Sequence, residues 1–246
     1  MELPHLGNLS TSATVALLTG DPDRITTMVD ELGPMTGEWR NRGYVCCEVR
    51  SEWGRLLLCS TGIGGPSTAI VVEELGRLRV STFVRVGTCG SLQPAVRAGD
   101  IVISCGSVRD DGTSGQYLAP EFPAVPSFDL VRAMVKSAEA ANAAHHVGVT
   151  HCKDAYYGEK AAGFPRAEWW HKRWTELRAC GVLATEMEAA ALFAVTTVRA
   201  WSSAALFVAV DGSLAPSARL DAIRTATRIA ARAARVTVAR ISARDR

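Results

Sequence analysis

Short apolar runs alternate along this chain with segments whose apolar residues recur at helical spacing. Residues 15–19 form one such run, stopped by Gly20-Asp21-Pro22, and residues 24–32 then read as a helix. Residues 44–49 and 55–60 read as two strands joined by a turn at 51–54. In 67–78, Ala69, Ile70, Val72, Leu75 and Leu78 fall at helical intervals, with Ser67 placed as the N-cap. Strands follow at 82–86 and 100–104. The Gly-, Pro- and Ser-rich stretch 109–128 reads as a long loop, the kind of segment that carries function. A helix over 128–141, a strand over 147–150, a polar loop over 152–166 and a helix over 169–180 come next. A helix over 185–198 has Thr185 and Glu188 spaced as a capping box. A buried strand over 204–210 and a long helix from 219 onward complete the pattern. Such alternation predicts a single α/β domain with a parallel or mixed sheet. Ligands in these folds lie where the C-terminal ends of strands meet helix starts, and every Gly-rich segment here falls at such an end.

Composition narrows the class without naming a chemistry. The 246 residues are 48% hydrophobic and 21% charged, with 27 Lys and Arg against 25 Asp and Glu. A net charge of +2 gives no basis for expecting nucleic acid or a membrane surface as partner. The first residues show neither a basic start nor a long apolar stretch, so a cytoplasmic location is expected. Seven cysteines, an odd number with no CxxC pair, read as reduced thiols, and Cys46 and Cys47 are expected on opposite faces of a strand. The five histidines lack metal-ligand spacing, so no metal is expected.

Four segments can carry chemistry. Gly20-Asp21-Pro22-Asp23-Arg24 follows a strand and opens a helix, where backbone N–H groups and an arginine favour an anion; a plain turn with a solvated Arg24 is the alternative. The 60–67 loop is glycine-rich but lacks the lysine of a P-loop and the spacing of a dinucleotide fingerprint. Arg85 lies among Phe83, Val84 and Val86 and therefore needs an anionic partner, either a ligand or a structural carboxylate. Glu186 and Glu188 stand near a helix start, where capping alone explains a carboxylate and fixed acceptance from sugar hydroxyls is the sharper reading. The arginines at 224, 228, 232 and 235 read as a solvated helix face opposite Ile223, Ala226 and Ala230.

Together with Pro4-His5-Leu6-Gly7, the 59–68 loop, the Glu73-Glu74-Leu75 triplet, the 85–94 run, 121–125, 153–158 and 185–193, these segments resemble the nucleoside phosphorylase-I family, most closely its uridine branch. The resemblance implies a three-layer α/β/α fold with a mixed, distorted central sheet, assembled as a hexamer of three dimers. It implies nucleoside and phosphate as substrates, no cofactor, and cleavage of the glycosidic bond to free base and ribose 1-phosphate in nucleoside salvage. Phosphate binding carries over to Gly20, Arg24, Arg85 and Thr88, with Arg42, or Arg40 as the alternative, reaching in from a neighbouring subunit. Ribose binding carries over to Thr88, Met187 and Glu188, with His5 from the neighbour. Gly90, Tyr156, Glu159, Lys160 and Asp211 fall at the base. Arg85, Glu188 and Asp211 are the expected catalytic groups.

The chain departs from that pattern at three positions. Glu159 stands where the uridine branch has a glutamine; an ionised carboxylate can accept from N3–H of uracil but cannot donate to a carbonyl, so Lys160 or Arg166 would donate instead. Asp211 resembles the aspartate of purine enzymes that protonates N7 of the leaving base. Gly43 replaces a glutamate that holds a monovalent cation in some members. Uridine or a related pyrimidine nucleoside is the expected substrate. The alternatives are purine phosphorolysis with Asp211 as acid, hydrolysis without phosphate, and nucleoside binding without turnover.

Overall fold

The computed structural model describes residues 3–160 and 162–244, with the side chains of Glu159 and of residues 240–244 outside the description. In chain order the strands are β1 (Val15–Thr19), β2 (Met35–Asn41), β3 (Tyr44–Ser51), β4 (Gly54–Ser60), β5 (Thr82–Ser91), β6 (Ile101–Asp110), β7 (His145–Lys153), β8 (Ala184–Glu186) and β9 (Ser202–Ala209). The helices are α1 (Arg24–Leu32), α2 (Gly65–Arg77), α3 (Gly112–Tyr117), α4 (Phe128–Ala140), α5 (Ala167–Ala179), α6 (Ala189–Val198) and α7 (Pro216–Arg244).

The strands form one mixed sheet in the order β2-β3-β4-β1-β5-β8-β7-β6-β9, and β9 also pairs with β5. That extra pairing closes β5, β8, β7, β6 and β9 into a ring, which is the distortion expected of the sheet. The ten-residue β5 is the hub: β1 pairs its first half, β9 runs along residues 82–89, and β8 meets Gly90 and Ser91.

Period-two alternation sorts the core into two layers. Leu18, Cys46 and Phe83 face one cluster with Ala69, Val72 and Leu75 of α2 and Leu192 and Phe193 of α6. Leu17, Cys47 and Val84 face the other with Ile25 and Met28 of α1, Met134 of α4, and Ile223 and Ala230 of α7. The two adjacent cysteines thus part to opposite faces. Helix α6 is buried over its first eight residues, so it has no polar stripe to reveal its orientation.

Several boundaries differ from the sequence expectations for physical reasons. β2 (MTGEWRN) is a half-exposed edge strand with no apolar run. Helix α2 begins two residues early with Gly64 as N-cap; Ser67 lies within its first turn and bonds Thr61 O and Tyr44 Oη instead of capping. The expected helix at 185–198 begins at Ala189, because Ala184–Glu186 join the ladders of β5 and β7 as a strand. The 109–128 stretch contains the end of β6 and the short α3.

Candidate active site

The C-terminal ends of β1 and β5 bring Gly20, Arg24, Arg85 and Thr88 together. Arg24 is the first residue of α1, and its Nη2 lies 3.4 Å from Thr88 Oγ1, with Nε 3.7 Å from Asp21. Burial holds the Arg24 pKa below its usual value; Asp21 opposes the shift, and the positive charges of Arg219 and Arg85 add to it. A Cβ at Gly20 would stand 3.3 Å from both Arg85 Nη2 and Gly62 O, so a glycine lets the β1–α1 turn lie against Arg85.

Arg85 is 4% exposed. It donates from Nη2 to Glu188 Oε2 at 2.6 Å and from Nη1 to Thr61 Oγ1 at 3.1 Å. Its buried Nε has no partner among the described residues. A buried unsatisfied N–H is costly and marks a place where an acceptor is missing. Glu188 accepts on its other oxygen from the Gly64 N–H at 2.7 Å. The carboxylate that caps α6 is Glu186, which accepts from the N–H groups of Glu188 at 2.8 Å and Ala189 at 2.9 Å. Burial, with the Glu188 charge adding and Arg85 opposing, raises the Glu186 carboxyl to about 7. Half-buried Met187 lies between the two glutamates.

His5 and Arg42 lie together elsewhere. The His5 N–H and ring Nδ1 bond Glu74 Oε1 at 3.0 and 2.7 Å, and the Leu6 N–H donates to Glu74 Oε2 at 2.8 Å. Asn41 Nδ2 donates to His5 O at 2.8 Å. That bond ties the N-terminal segment to the β2–β3 turn, where Arg42 and Gly43 have φ of 48° and 83°, the left-handed pair of a tight hairpin. Arg42 is exposed, and Arg40 pairs with Glu38 at 2.7 Å. Among the described residues, no hydrogen bond joins His5, Arg40 or Arg42 to Arg24, Arg85 or Glu188 of the same chain.

The residues expected to meet the base are more open. Gly90 faces Thr185 across β5 and β8. Tyr156 and Tyr157, edge to face at 5.3 Å, are 60% and 75% exposed. Lys160 is exposed, and Arg166 lies 4.3 Å over the Trp169 ring. The Glu159 side chain lies outside the described residues. Asp211 lies just after β9. Its exposed carboxylate accepts from Ser213 N–H at 2.8 Å and Oγ–H at 2.6 Å, and these bonds hold its pKa below the usual value.

Sequence reasoning missed a buried polar group beside Gly90. His151 and Lys153 on β7 meet Thr185 on β8, while Asp110 at the end of β6 binds both His151 and Arg173 of α5. Period two gave no signal: Val147 and Val149, of the same parity as His151 and Lys153, are exposed, and it is Trp174 of α5 that lies against the later pair. Among the described residues, no three His, Cys, Asp or Glu side chains cluster as a metal site, and no helix is long and apolar enough to cross a membrane.

Known proteins match this chain along most of its length. Uridine phosphorylase of Treponema pallidum (strain Nichols) is 36% identical over 247 residues, covering 98% of this chain and 96% of its own. Guanosine phosphorylase of Halorubrum lacusprofundi is 37% identical over 200 residues, covering 81% of this chain and 78% of its own. Uridine phosphorylase of Escherichia coli (strain K12) is 37% identical over 199 residues, covering 76% and 77%. The family signature matches residues 14–242, and the chain belongs to the Phosphorylase superfamily.

Proposed function

We propose that this protein is a nucleoside phosphorylase, a pentosyltransferase that uses inorganic phosphate to cleave the N-glycosidic bond of uridine or a related pyrimidine nucleoside. One observation carries the reading: the buried Arg85, paired to Glu188 and left with an unsatisfied Nε, lies on the strand that bears Thr88, which meets Arg24. Phosphate supplies the missing acceptor. Arg24 and Arg85 give it charge and Thr88 gives it a hydroxyl, with the β1–α1 turn at Gly20 as floor. Glu188 keeps a lone pair on each oxygen beyond its bonds to Arg85 and Gly64, enough to accept from two ribose hydroxyls. One residue thus touches both the nucleophile's arginine and the sugar, which fixes their relative position before the bond breaks. As the base departs, the sugar gains oxocarbenium character, and the bound phosphate dianion stabilises it as it attacks. The chemistry calls for neither a metal nor a cofactor.

The pairing of His5 with the Arg42 turn, apart from the chain's own arginines, supports a homo-oligomer in which a neighbour supplies both. A hexamer built as a trimer of dimers satisfies that need, with residues 1–246 acting as one catalytic domain. A cytoplasmic salvage role accords with the expected reduced thiols. The guanosine phosphorylase relative favours a purine reading, and the bonds that hold Asp211 to its own turn oppose it.

A nucleoside panel assayed with and without phosphate tests the proposal. Uracil release from uridine that requires phosphate is the expected result. Release without phosphate would mean hydrolysis, tight binding without release would mean a binding protein, and faster turnover of inosine or guanosine than uridine would overturn the pyrimidine assignment.

A further inference from the structure

Strands β6, β7 and β8 bring to the base end a set of polar side chains that phosphate chemistry leaves unused. Lys153, the last residue of β7, is 1% exposed; its Nζ lies 3.0 Å from Thr185 Oγ1 and 5.8 Å from the centre of the Trp174 ring. An ammonium only donates, so the Thr185 oxygen accepts. His151 is fully buried, and burial holds its pKa below the usual value, against Asp110, so it carries one ring proton at neutral pH. That proton points to Asp110 Oδ2, 2.9 Å from Nε2, because a carboxylate only accepts. The lone pair on Nδ1 then takes the Thr185 hydroxyl proton across 3.0 Å. Asp110 is fixed in turn by Arg173, with contacts of 2.6 and 2.8 Å. Donor capacity thus sets the direction of every bond from Lys153 through Thr185 and His151 to Asp110.

The network ends against the site. Thr185 is the register partner of Gly90, and a Cβ on Gly90 would meet the Thr185 methyl at 3.5 Å. The chain leaves Lys153 directly for the 156–160 turn that carries Tyr156. The cations expected at this end are placed otherwise: Lys160 is exposed, and Arg166 is stacked on Trp169.

We propose that Lys153 is a positioning residue whose ammonium, held by Thr185 beside Gly90, stabilises through its field the negative charge that the departing base acquires. The proposal rests on the phosphorolysis reading. A charge buried in protein acts over a longer range than one in water. A group that acts through charge matters most when the leaving group most needs help, whereas one that only packs affects all leaving groups alike.

The test compares uridine with 5-fluorouridine, whose base leaves more readily because fluorine withdraws electron density from the ring. Phosphorolysis is measured for the wild type and for Lys153→Gln, Lys153→Met and Lys153→Arg, with a thermal melt of each. Lys153→Gln keeps a donor to Thr185 without the charge. It should lower kcat with uridine by about tenfold and with 5-fluorouridine by about threefold or less, at unchanged KM for phosphate. Lys153→Met, close in volume, should show the same inequality if the glutamine disturbs packing. Lys153→Arg should retain the wild-type ratio of the two substrates. Equal losses on both nucleosides, or no loss, in a folded neutral variant would overturn the proposal and leave Lys153 a packing role. A wild type that releases base without phosphate would instead overturn the phosphorolysis reading, while the two-nucleoside comparison would still report on Lys153.

Discussion

At the proposed phosphate end, Arg85 and Glu188 are buried and joined at 2.6 Å, with the remaining Glu188 oxygen held by Gly64. At the proposed base end, Tyr156, Tyr157, Lys160 and Asp211 are all exposed, and among the described residues Asp211 bonds its own turn. Removing a charge from the first region strands its partner in a dry interior; removing one from the second exposes nothing new. The phosphate end is therefore coupled to folding, which ties the reaction type to the architecture of the sheet. The base end is carried on turns after β7 and β9 and can vary without disturbing the core. That contrast accords with a family containing both uridine and guanosine phosphorylases at similar distance from this chain.

The sharpest way to break the contrast is Arg85→Met. It should lower kcat/KM for phosphate by about 10³-fold and lower stability by about 3–5 kcal/mol by stranding Glu188. Arg85→Met combined with Glu188→Leu should recover most of that stability in urea melts, because no buried charge then stands alone, and should recover no activity. If the single variant melts like the wild type, the pair is not the buried, coupled feature described.

Next in size is a test of whether the phosphate end is complete within one chain. Arg42→Ala should lower activity by about 10²-fold, although among the described residues no hydrogen bond joins Arg42 to Arg24, Arg85 or Thr88 of its own chain. Mixing Arg42→Ala and Arg85→Met chains by denaturation and refolding should restore activity to about a quarter of wild type. Half of randomly paired dimers are mixed, and each of those has one intact site of two. No recovery on mixing would place Arg42 outside the neighbour's site.

The same contrast explains what was legible in the sequence. A charged residue inside an apolar strand, as at Arg85, announces a partner, and glycines at strand ends announce close backbone approach. The fold class, the opposite faces of Cys46 and Cys47 and most helices followed from periodicity. Edge strand β2 did not, because its exposure erased the apolar signal. The start of α6 was misplaced because Thr185-x-x-Glu188 matches a capping box, while strand pairing to β5 and β7 outweighed that local preference. Lys153 and His151 were passed over because polar residues near a strand end look solvated until the topology buries them. The bonds between Asp211 and Ser213 depended on the conformation of the 211–213 turn, which no spacing reveals.

Glu186 offers a smaller, pH-resolved probe of the buried end. Its carboxyl is raised to about 7, chiefly by burial, against an unfolded value of about 4.3. Between these values the folded protein binds more protons than the unfolded chain, so its contribution to stability is full below the unfolded pKa and is lost as pH rises through about 7. Glu186→Gln removes the titration and keeps an acceptor for the Glu188 and Ala189 N–H groups. The melting temperature of the wild type relative to this variant should therefore fall as pH rises from 5 to 8, by about 5–10 °C in all, at roughly 2–4 °C per kcal/mol for a chain of this size. A constant difference across that range would mean that Glu186 does not titrate there.

The smallest expected effect falls on the most exposed group. Asp211→Asn removes a charge that lies in water and bonds Ser213 of its own turn. The asparagine carbonyl oxygen can still accept from the Ser213 N–H, so the turn should persist. If the base end acts without an acid from this position, uridine turnover should change by less than about twofold, within the range of substitutions away from buried features. A proton donor would behave otherwise: general acid catalysis contributes about 10²–10⁴-fold, and its loss would weigh on purine nucleosides, whose N7 must be protonated. Assays of Asp211→Asn with uridine and guanosine in parallel separate the two. A collapse confined to guanosine would show that Asp211 turns toward the base when a purine is bound, and the base end would then be as mechanistically committed as the phosphate end.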